Sequence, residues 1–400
     1  MDLSYGMAPF LPEDPDNELR EKAFQIGIQA GELNNSAAPA TRLALSRMLS
    51  WVNAYYSNRI EGQGTHPVDV ERAMREGQQA NDPDTRITLA LREAHDRLAV
   101  NDRLRDGDLP RTTNPDFIRE IHSVIFDGLP AEERKVKDQE GLDSEPIVPG
   151  EWRKRGVKVS NHVAPDHREL EGAMSCFDKN YRLDQKRLRG EIGLIAAAAS
   201  HHRLAFIHPF LDGNGRVTRL FSELYLEHVL DGPLFWSLSR GLARNRKAYY
   251  SALGAADRPR KDRYERRGPR SDAGLFEFCN FFLDQCLDQS AYMGELVSFD
   301  TYKRRVEYLV RQSSQGALPD VAKLDPAAEN VLKSIYMEGE LSRSAAGQLS
   351  GYKERRARDV IRQLIDEGLL ESTGERGSVR PGFPARYMEY LFPKLALATS

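Results

Sequence analysis

Cysteine is nearly missing from this chain: three residues, Cys176, Cys279 and Cys286, none in a CxxC pair. So odd and sparse a set excludes a disulfide framework, fits a reducing compartment and argues against a structural zinc site. Long apolar runs are missing too. The longest, Ile192 to Ala199, is Ala-rich and far short of the roughly 20 residues that span a bilayer. Met1 to Asp16 has neither a basic n-region nor an apolar h-region, so no secretory signal is expected there. Charge of one sign is also lacking: 57 Lys and Arg face 60 Asp and Glu, a formal net charge of −3. That balance argues against nucleic-acid binding through the field of the whole chain and leaves only a local patch. The expected setting is cytoplasmic, with no membrane partner.

What remains suits a folded protein: 400 residues, 40% hydrophobic and 29% charged. The length exceeds what one core usually holds, so two or more domains are expected. The first forty residues are loosely patterned, with a turn or extended arm at Leu11 to Asp16. Helical periodicity starts near Ala40 after Pro39 and predicts further helices over Pro67–Gln79, Asp84–Leu98 and Pro115–Phe126. Glycine and proline crowd 127–170, where Val157 and Val159 alternate with polar residues and predict a short β-hairpin. Helices resume over Asp166–Tyr181, Leu188–Phe206, Gly215–Val229 and Arg246–Ala255, and one long helix or a pair spans Gly274–Ser313. The basic stretch Arg258 to Arg270 reads as a solvated loop. Linker composition at Gln312 to Pro319 places a boundary near 315–325.

Beyond it, helices are expected over Pro326–Tyr336, Ser342–Leu349 and Glu354–Glu367, then a glycine-tipped hairpin. The order is that of a winged helix-turn-helix, whose third helix enters a major groove when it binds DNA. That helix and the turn before it carry Lys353, Arg355, Arg356, Arg358 and Arg362. From Leu324 to Lys394, however, eleven basic residues meet eleven acidic ones. Dimerisation or intramolecular support is favoured over specific DNA binding.

The chemistry gathers in His208-Pro-Phe-Leu-Asp-Gly-Asn-Gly-Arg-Val-Thr-Arg219. Gly213 and Gly215 precede a helical pattern, so free backbone N–H groups at its start would form an anion nest. Asn214 adds an amide donor. Arg216 and Arg219, three apart on the new helix, can reach the same phosphate. Asp212 supplies the single carboxylate that suits Mg²⁺ beside substrate phosphates. His208 can accept a proton near neutral pH, and Phe210 is expected in the core. Base, metal ligand, nest and two arginines suggest transfer of a phosphate-containing group to a hydroxyl. No lysine follows the glycines, so a P-loop is excluded. His201 and His202 point apart on a helix and read as packing residues.

This stretch resembles the Fic-family signature HPFx[DE]GNGRxxR, with every specified position filled. The resemblance implies a protein adenylyltransferase that moves AMP from ATP to a Tyr, Ser or Thr hydroxyl of a target protein. It implies His208 as general base, Asp212 as Mg²⁺ ligand, Gly213, Asn214 and Gly215 as anion hole, Arg216 on the phosphates and Arg219 on the γ-phosphate. Ser57-Asn-Arg-Ile-Glu61-Gly62 is similar to the family's inhibitory motif [ST]xxxE[GN]. That implies Glu61 pairing with Arg219 and excluding a productive γ-phosphate. Pro149 to Ser160 is similar to the flap that holds a target segment by main-chain bonds, with Gly150, Val157 and Val159 as docking positions. Tyr249 and Tyr250 fall where related proteins place adenine-pocket aromatics, or are core residues of a helix.

The expected fold is mainly α. Residues 1–110 form an N-terminal helical region with the inhibitory motif. Residues 111–315 form a Fic-type core with a flap near 145–162, and 322–400 a winged helix. Removal of AMP, transfer of another nucleotide or of phosphate, and a DNA-binding regulator stay open as alternatives. Self-modification and a homodimer stay open as partner states.

Overall fold

The computed structural model describes residues 4–12, 17–75, 82–98, 105–106, 109–137, 144–159, 162–261, 268–374 and 377–396. The first helix, α1 (Asn17–Asn35), corrects the expectation of a loosely patterned N-terminus. It buries Leu19, Ala23, Ile26, Ala30 and Leu33 along one stripe. Exposed Phe24 and Ile28 lie off that stripe and blur the period in the sequence. Helices α2 (Pro39–Ile60), α3 (Pro67–Arg75) and α4 (Pro83–Leu98) each open on a proline, whose fixed φ suits a first turn that has no N–H partner. The part of the second expected helix beyond Arg75 lies outside the described residues.

A two-residue hairpin, β1 (Arg105–Asp106) with β2 (Leu109–Pro110), leads to α5 (Pro115–Asp127). Asn114 caps α5 by accepting from the Asp116 N–H at 2.8 Å. Two hairpins follow: β3 (Lys135–Lys137) with β4 (Ser144–Pro146), and β5 (Lys158–Val159) with β6 (His162–Val163). The second is the one Val157 and Val159 predict; its tip, Ser160 and Asn161, lies outside the described residues. The first escaped sequence reading because Lys-Val-Lys and Ser-Glu-Pro carry no apolar alternation.

Next come α6 (Leu170–Tyr181), α7 (Gln185–Leu188), α8 (Glu191–Ile207), α9 (Asn214–Val229), α10 (Leu238–Arg244) and α11 (Arg246–Ala256). The expected long span is a pair, α12 (Asp272–Val297) and α13 (Phe299–Ser314), parted where Ser298 turns extended. The Ala-rich run sits in α8, which is buried on nearly every face. With no side chain beyond a methyl at Ala196–Ala199, neighbours approach closely. α8 packs against α1, α6, α9 and α12, and α9 runs back along it. The loop that joins α8 to α9 is residues 208–213.

The C-terminal unit holds α14 (Ala328–Glu338), α15 (Arg343–Leu349) and α16 (Glu354–Asp366). Then β7 (Leu370–Ser372) pairs with β8 (Val379–Pro381), Leu341 bridges to Val379, and α17 (Ala385–Leu391) follows. The stretch of linker composition is not a free tether. Leu324 is buried, and Leu318 and Val321 pack on the core. Buried apolar residues form one continuous cluster from Met7 to Ala396. Among the described residues no helix is long and apolar enough to cross a membrane.

Candidate active site

α8 ends on His208, which adopts a left-handed backbone (φ 50°, ψ 60°) while its N–H still reaches Leu204 O at 3.1 Å. Phe210 is fully buried as expected. It stacks on His122, centroids 3.9 Å apart and 8° from parallel, and meets Trp152 at 4.9 Å. Gly213 caps α9 with φ 77°. A Cβ there would also lie 2.4 Å from the Phe126 ring, so glycine is required on two counts. The first N–H groups of α9 have no partner within the helix, and Asp212 just before them is exposed.

Asn214 departs from the expectation of an amide aimed at an anion. Its side-chain oxygen accepts the Phe210 N–H at 2.9 Å and its nitrogen donates to Phe210 O at 2.8 Å. One amide closing two bonds with one residue ties the loop shut and leaves the second amide N–H and the backbone N–H of Asn214 for a ligand.

Both arginines of the stretch are buried and turned toward the end of α2. Arg219 donates from Nε to Ser57 Oγ at 2.8 Å, and from Nη2 to Ser57 O at 3.0 Å and Glu61 Oε1 at 2.6 Å. Arg216 donates to Asn58 Oδ1 at 2.9 Å and to Gln63 Oε1. Glu61 caps the end of α2, and Gly62 (φ 80°) turns the chain away. Burial works to raise the Glu61 pKa. The guanidiniums of Arg219 and then Arg216 outweigh it and hold the carboxyl below the ordinary value.

Burial, aided by His162 nearby, depresses the His208 imidazole to about 4. It is therefore neutral, able to take a proton, at physiological pH. His162, from β6, bonds Phe206 O at 2.8 Å and stands 3.3 Å from Asp257. His201 bonds Ser222 Oγ at 2.7 Å and the Tyr249 hydroxyl at 2.8 Å, and His202 bonds Leu253 O at 3.1 Å. These are packing roles, as expected. Tyr249 is consequently a buried residue beside Arg219, whereas Tyr250 is 45% exposed with the Arg246 guanidinium 5.6 Å from its ring centroid.

The β5–β6 hairpin is tied to the last turn of α8 through His162, which bonds Phe206 O at 2.8 Å. At its root Gly150 (φ 75°) donates its N–H to His122 Nδ1 at 2.9 Å, and the Val157 carbonyl accepts from Ala164. Sequence reading passed over Arg153. Its side chain is buried and donates to His208 O at 2.8 Å, Arg155 O at 2.8 Å and Pro165 O at 2.5 Å, while its N–H reaches Pro209 O at 2.9 Å. An arginine inside the basic run Trp152 to Arg155 carries no sign in the sequence that it points inward. Asn58 and Gln63 were also missed, because neither position is specified by the inhibitory pattern.

Among the described residues no group of three or more His, Cys, Asp and Glu side chains could hold a metal ion. One exposed carboxylate beside free helix-start N–H groups fits a divalent cation bound mostly through a ligand's phosphates.

The helical domain thus joins a glycine-turned loop to a buried arginine pair. Residues 112–226 match the profile of the Fic/DOC family. It is 27% identical over 250 residues to a protein adenylyltransferase Fic of Nematostella vectensis, covering 61% of this chain and 50% of that one. It is 32% identical over 113 residues to the Culex quinquefasciatus protein of the same name, covering 28% and 21%. The chain spans about half the length, or less, of these curated relatives. A Fic family protein from Desulfovibrio desulfuricans G20 superposes at a TM-score of 0.48 with 17% identity, over 93% of this chain and 98% of that one.

Proposed function

We propose that the chain is a protein adenylyltransferase that transfers AMP from ATP to a hydroxyl side chain of a target protein and is held back by Glu61. The observation that carries the reading is the intact twelve-residue stretch 208–219 folded as one loop and helix start, with a neutral imidazole at one end. His208 takes the proton of the target Tyr, Ser or Thr hydroxyl, whose oxygen then attacks the α-phosphorus as pyrophosphate leaves. The first N–H groups of α9, and the Arg216 guanidinium once released from Asn58 and Gln63, would stabilise the charge that develops on the phosphates. Asp212 is the residue that would hold Mg²⁺, whose positive charge would assist departure of pyrophosphate. Tyr250, the exposed tyrosine of the pair, is the one available to the base. Gly150, Val157 and Val159 belong to the flap on which the target segment docks.

Arg219 is the residue that would hold the γ-phosphate, and Glu61 occupies it at 2.6 Å. The carboxylate repels a γ-phosphate and cancels the charge that should bind it. Ser57 supports the pair, and Gly62 turns the chain so that Glu61 can face the loop. Because the Glu61 side chain is 32% exposed at the site, it could also orient a water, which keeps removal of AMP as the second reading.

The organisation we infer is an N-terminal region (1–110) carrying Ser57 to Gly62, a catalytic core (111–315) and a winged helix (322–400). Three helices, then a hairpin bridged to Leu341, support the last assignment. Three of the four arginines of α16 are paired: Arg358 with Glu354 at 2.7 Å, Arg362 with Asp359 at 3.4 Å and Arg356 with Asp325 at 3.3 Å. That pairing favours support over DNA binding.

The test is intact mass after incubation with ATP and Mg²⁺, comparing wild type, Glu61→Gly, and Glu61→Gly with His208→Ala. AMP adducts in Glu61→Gly that vanish with His208→Ala support both chemistry and brake. A gain of phosphate, or AMP lost from a pre-modified protein, would replace AMP transfer by one of the alternatives.

A further inference from the structure

The geometry points to Arg153 as a positioning residue that fixes the base His208 and the flap to each other through one buried guanidinium. This rests on the assignment of His208 as base. The side chain is 3% exposed, yet its bonds within the site all go to backbone carbonyls. Two acceptors, His208 O and Ile207 O, belong to the end of α8. The other two, Arg155 O and Pro165 O, flank β5 and β6. A buried cation bonded to neutral oxygens is costly, and burial accordingly lowers the pKa of Arg153. Its planar fork is what lets one group reach both sides of the site; a lysine presents a single point of donation. His208 is left-handed without being glycine, so its backbone needs an external hold, and Arg153 bonds the carbonyl of that same residue. A target seated on the flap is thereby held at a set distance from the imidazole.

The test uses Arg153→Lys and Arg153→Ala in the full Glu61→Gly chain. Expected for Arg153→Lys is a kcat lower by about tenfold or more with the KM for ATP within about twofold, since misplacing a catalytic group costs rate rather than nucleotide binding. The His208 imidazole NMR resonances should move, and millimolar guanidinium should restore part of the rate of Arg153→Ala. An unchanged kcat overturns the inference, and so does an unmoved His208 resonance. If the parent forms no AMP adduct, the transfer reading fails, while the His208 resonance still decides whether Arg153 positions that ring.

A separate set of contacts carries a second inference. We infer that the C-terminal unit clamps the Glu61 segment from both sides and so sets how firmly the brake is held. Upstream of Glu61, Thr41 of α2 donates to Tyr336 O at 2.8 Å, Arg47 pairs with Glu371 at 2.7 Å, and Gly339 packs so closely that a Cβ would lie 2.7 Å from Ala38 Cβ. Downstream, His66 bonds Ala396 O at 2.5 Å, and Glu71 of α3 accepts two bonds from Arg386 of α17, one from its N–H at 2.8 Å and one from its guanidinium. Arg386 is itself held by Glu367 at 2.9 Å. The pairs at Arg386 are largely buried while Arg47–Glu371 is exposed, so the downstream grip dominates. Only four residues, 62–65, separate Glu61 from His66. A shift of the C-terminal unit is therefore passed to the carboxylate with little slack.

This inference depends on the brake, and the test separates the two. Self-modification by the full chain would be compared for wild type, Glu71→Lys, Glu61→Gly and Glu71→Lys with Glu61→Gly. Glu71→Lys puts two cations together and should raise the rate several-fold in the wild type. It should add nothing in Glu61→Gly, because the brake is already gone. Adding Arg386→Glu to Glu71→Lys should lower the rate again. No gain from Glu71→Lys where Glu61→Gly gains overturns the clamp alone. An equal gain with and without Glu61 also overturns it. No gain from Glu61→Gly overturns the brake and the clamp together.

Discussion

Gly215 owes its identity to Glu61: a Cβ at position 215 would stand 2.2 Å from Glu61 Oε1 and 2.9 Å from Arg219 Nη1. The missing side chain is thus the seat of the carboxylate. Gly215→Ala is expected to destabilise the wild type by about 1–3 kcal/mol through overpacking. In the Glu61→Gly protein the nearest clash is gone and the cost should fall by about half or more, a coupling of the size seen for residues in contact. Thermal or urea unfolding of the four proteins measures it; equal costs in both backgrounds would refute the shared seat.

Loss of Glu61 itself should release activity. The pair is a charge-assisted bond to a buried guanidinium, of a kind worth about 1.5–3 kcal/mol. Freed for the γ-phosphate, Arg219 should raise the rate by about tenfold or more. Ser57→Ala removes one of the bonds on Arg219 and should release a smaller share. Initial rates of self-modification at fixed ATP would order wild type, Ser57→Ala and Glu61→Gly.

Asn214→Asp is nearly isosteric but cannot donate to Phe210 O. It should cost about 1–3 kcal/mol of stability through the unpaired buried carbonyl. In the Glu61→Gly protein it should also lose activity, by about tenfold or more as the loop loosens. Melting temperature and adduct formation report the two effects. A stable, active Asn214→Asp would show that the loop is held by Phe210 packing alone.

Stability should peak near pH 6.5. Burial depresses His122, His202 and His208 to about 3, 4 and 4. The unfolded chain takes up those protons below about 6.5 and the folded chain does not, so stability is lost as pH falls from 6.5 toward 4. Glu223 and Glu227 run the other way, pushed up by burial to about 7 and about 8. Glu223 lies against the Ser239 hydroxyl at 2.8 Å and His95 at 3.9 Å, and Glu227 accepts the Leu234 N–H. The folded chain keeps these two protons and the unfolded chain sheds them above about 4.5, so that stability is lost as pH rises through 7 to 8. Between 5 and 6.5 the histidines outnumber the two carboxyls; above 6.5 only the carboxyls act. Melting temperatures from pH 5 to 9 test the peak, and Glu227→Gln should flatten its alkaline side.

The same depression sets the rate profile. A base already neutral above about 4 should leave kcat/KM of Glu61→Gly without an acid limb near 6.5. A half-maximal point near 6.5 would mean that another group governs the proton transfer.

How legible the chain was depended on whether a residue acts locally. The cap at Asn114 and the proline-led starts of α2 to α5 follow from neighbours in sequence, and they stand close to where the pattern puts them. The stretch 208–219 stood out because its residue types are chemically costly to gather by chance. α1 was not, since Phe24 and Ile28 break its stripe. The β3–β4 hairpin and Arg153 depend on carbonyls and strands distant in sequence. Asn214 shows the limit at a single residue: type and place suggested a ligand donor, yet the nearest backbone groups use both ends of its amide.

His208 bears a consequence of its own. A left-handed backbone at a residue with a Cβ is disfavoured by about 1–2 kcal/mol, a penalty that glycine escapes. His208→Gly should therefore melt higher than the parent while losing the chemistry entirely. The residue proposed as base is then also one where the natural sequence carries backbone strain, and stabilising substitutions gathered without a functional screen would tend to erase it first.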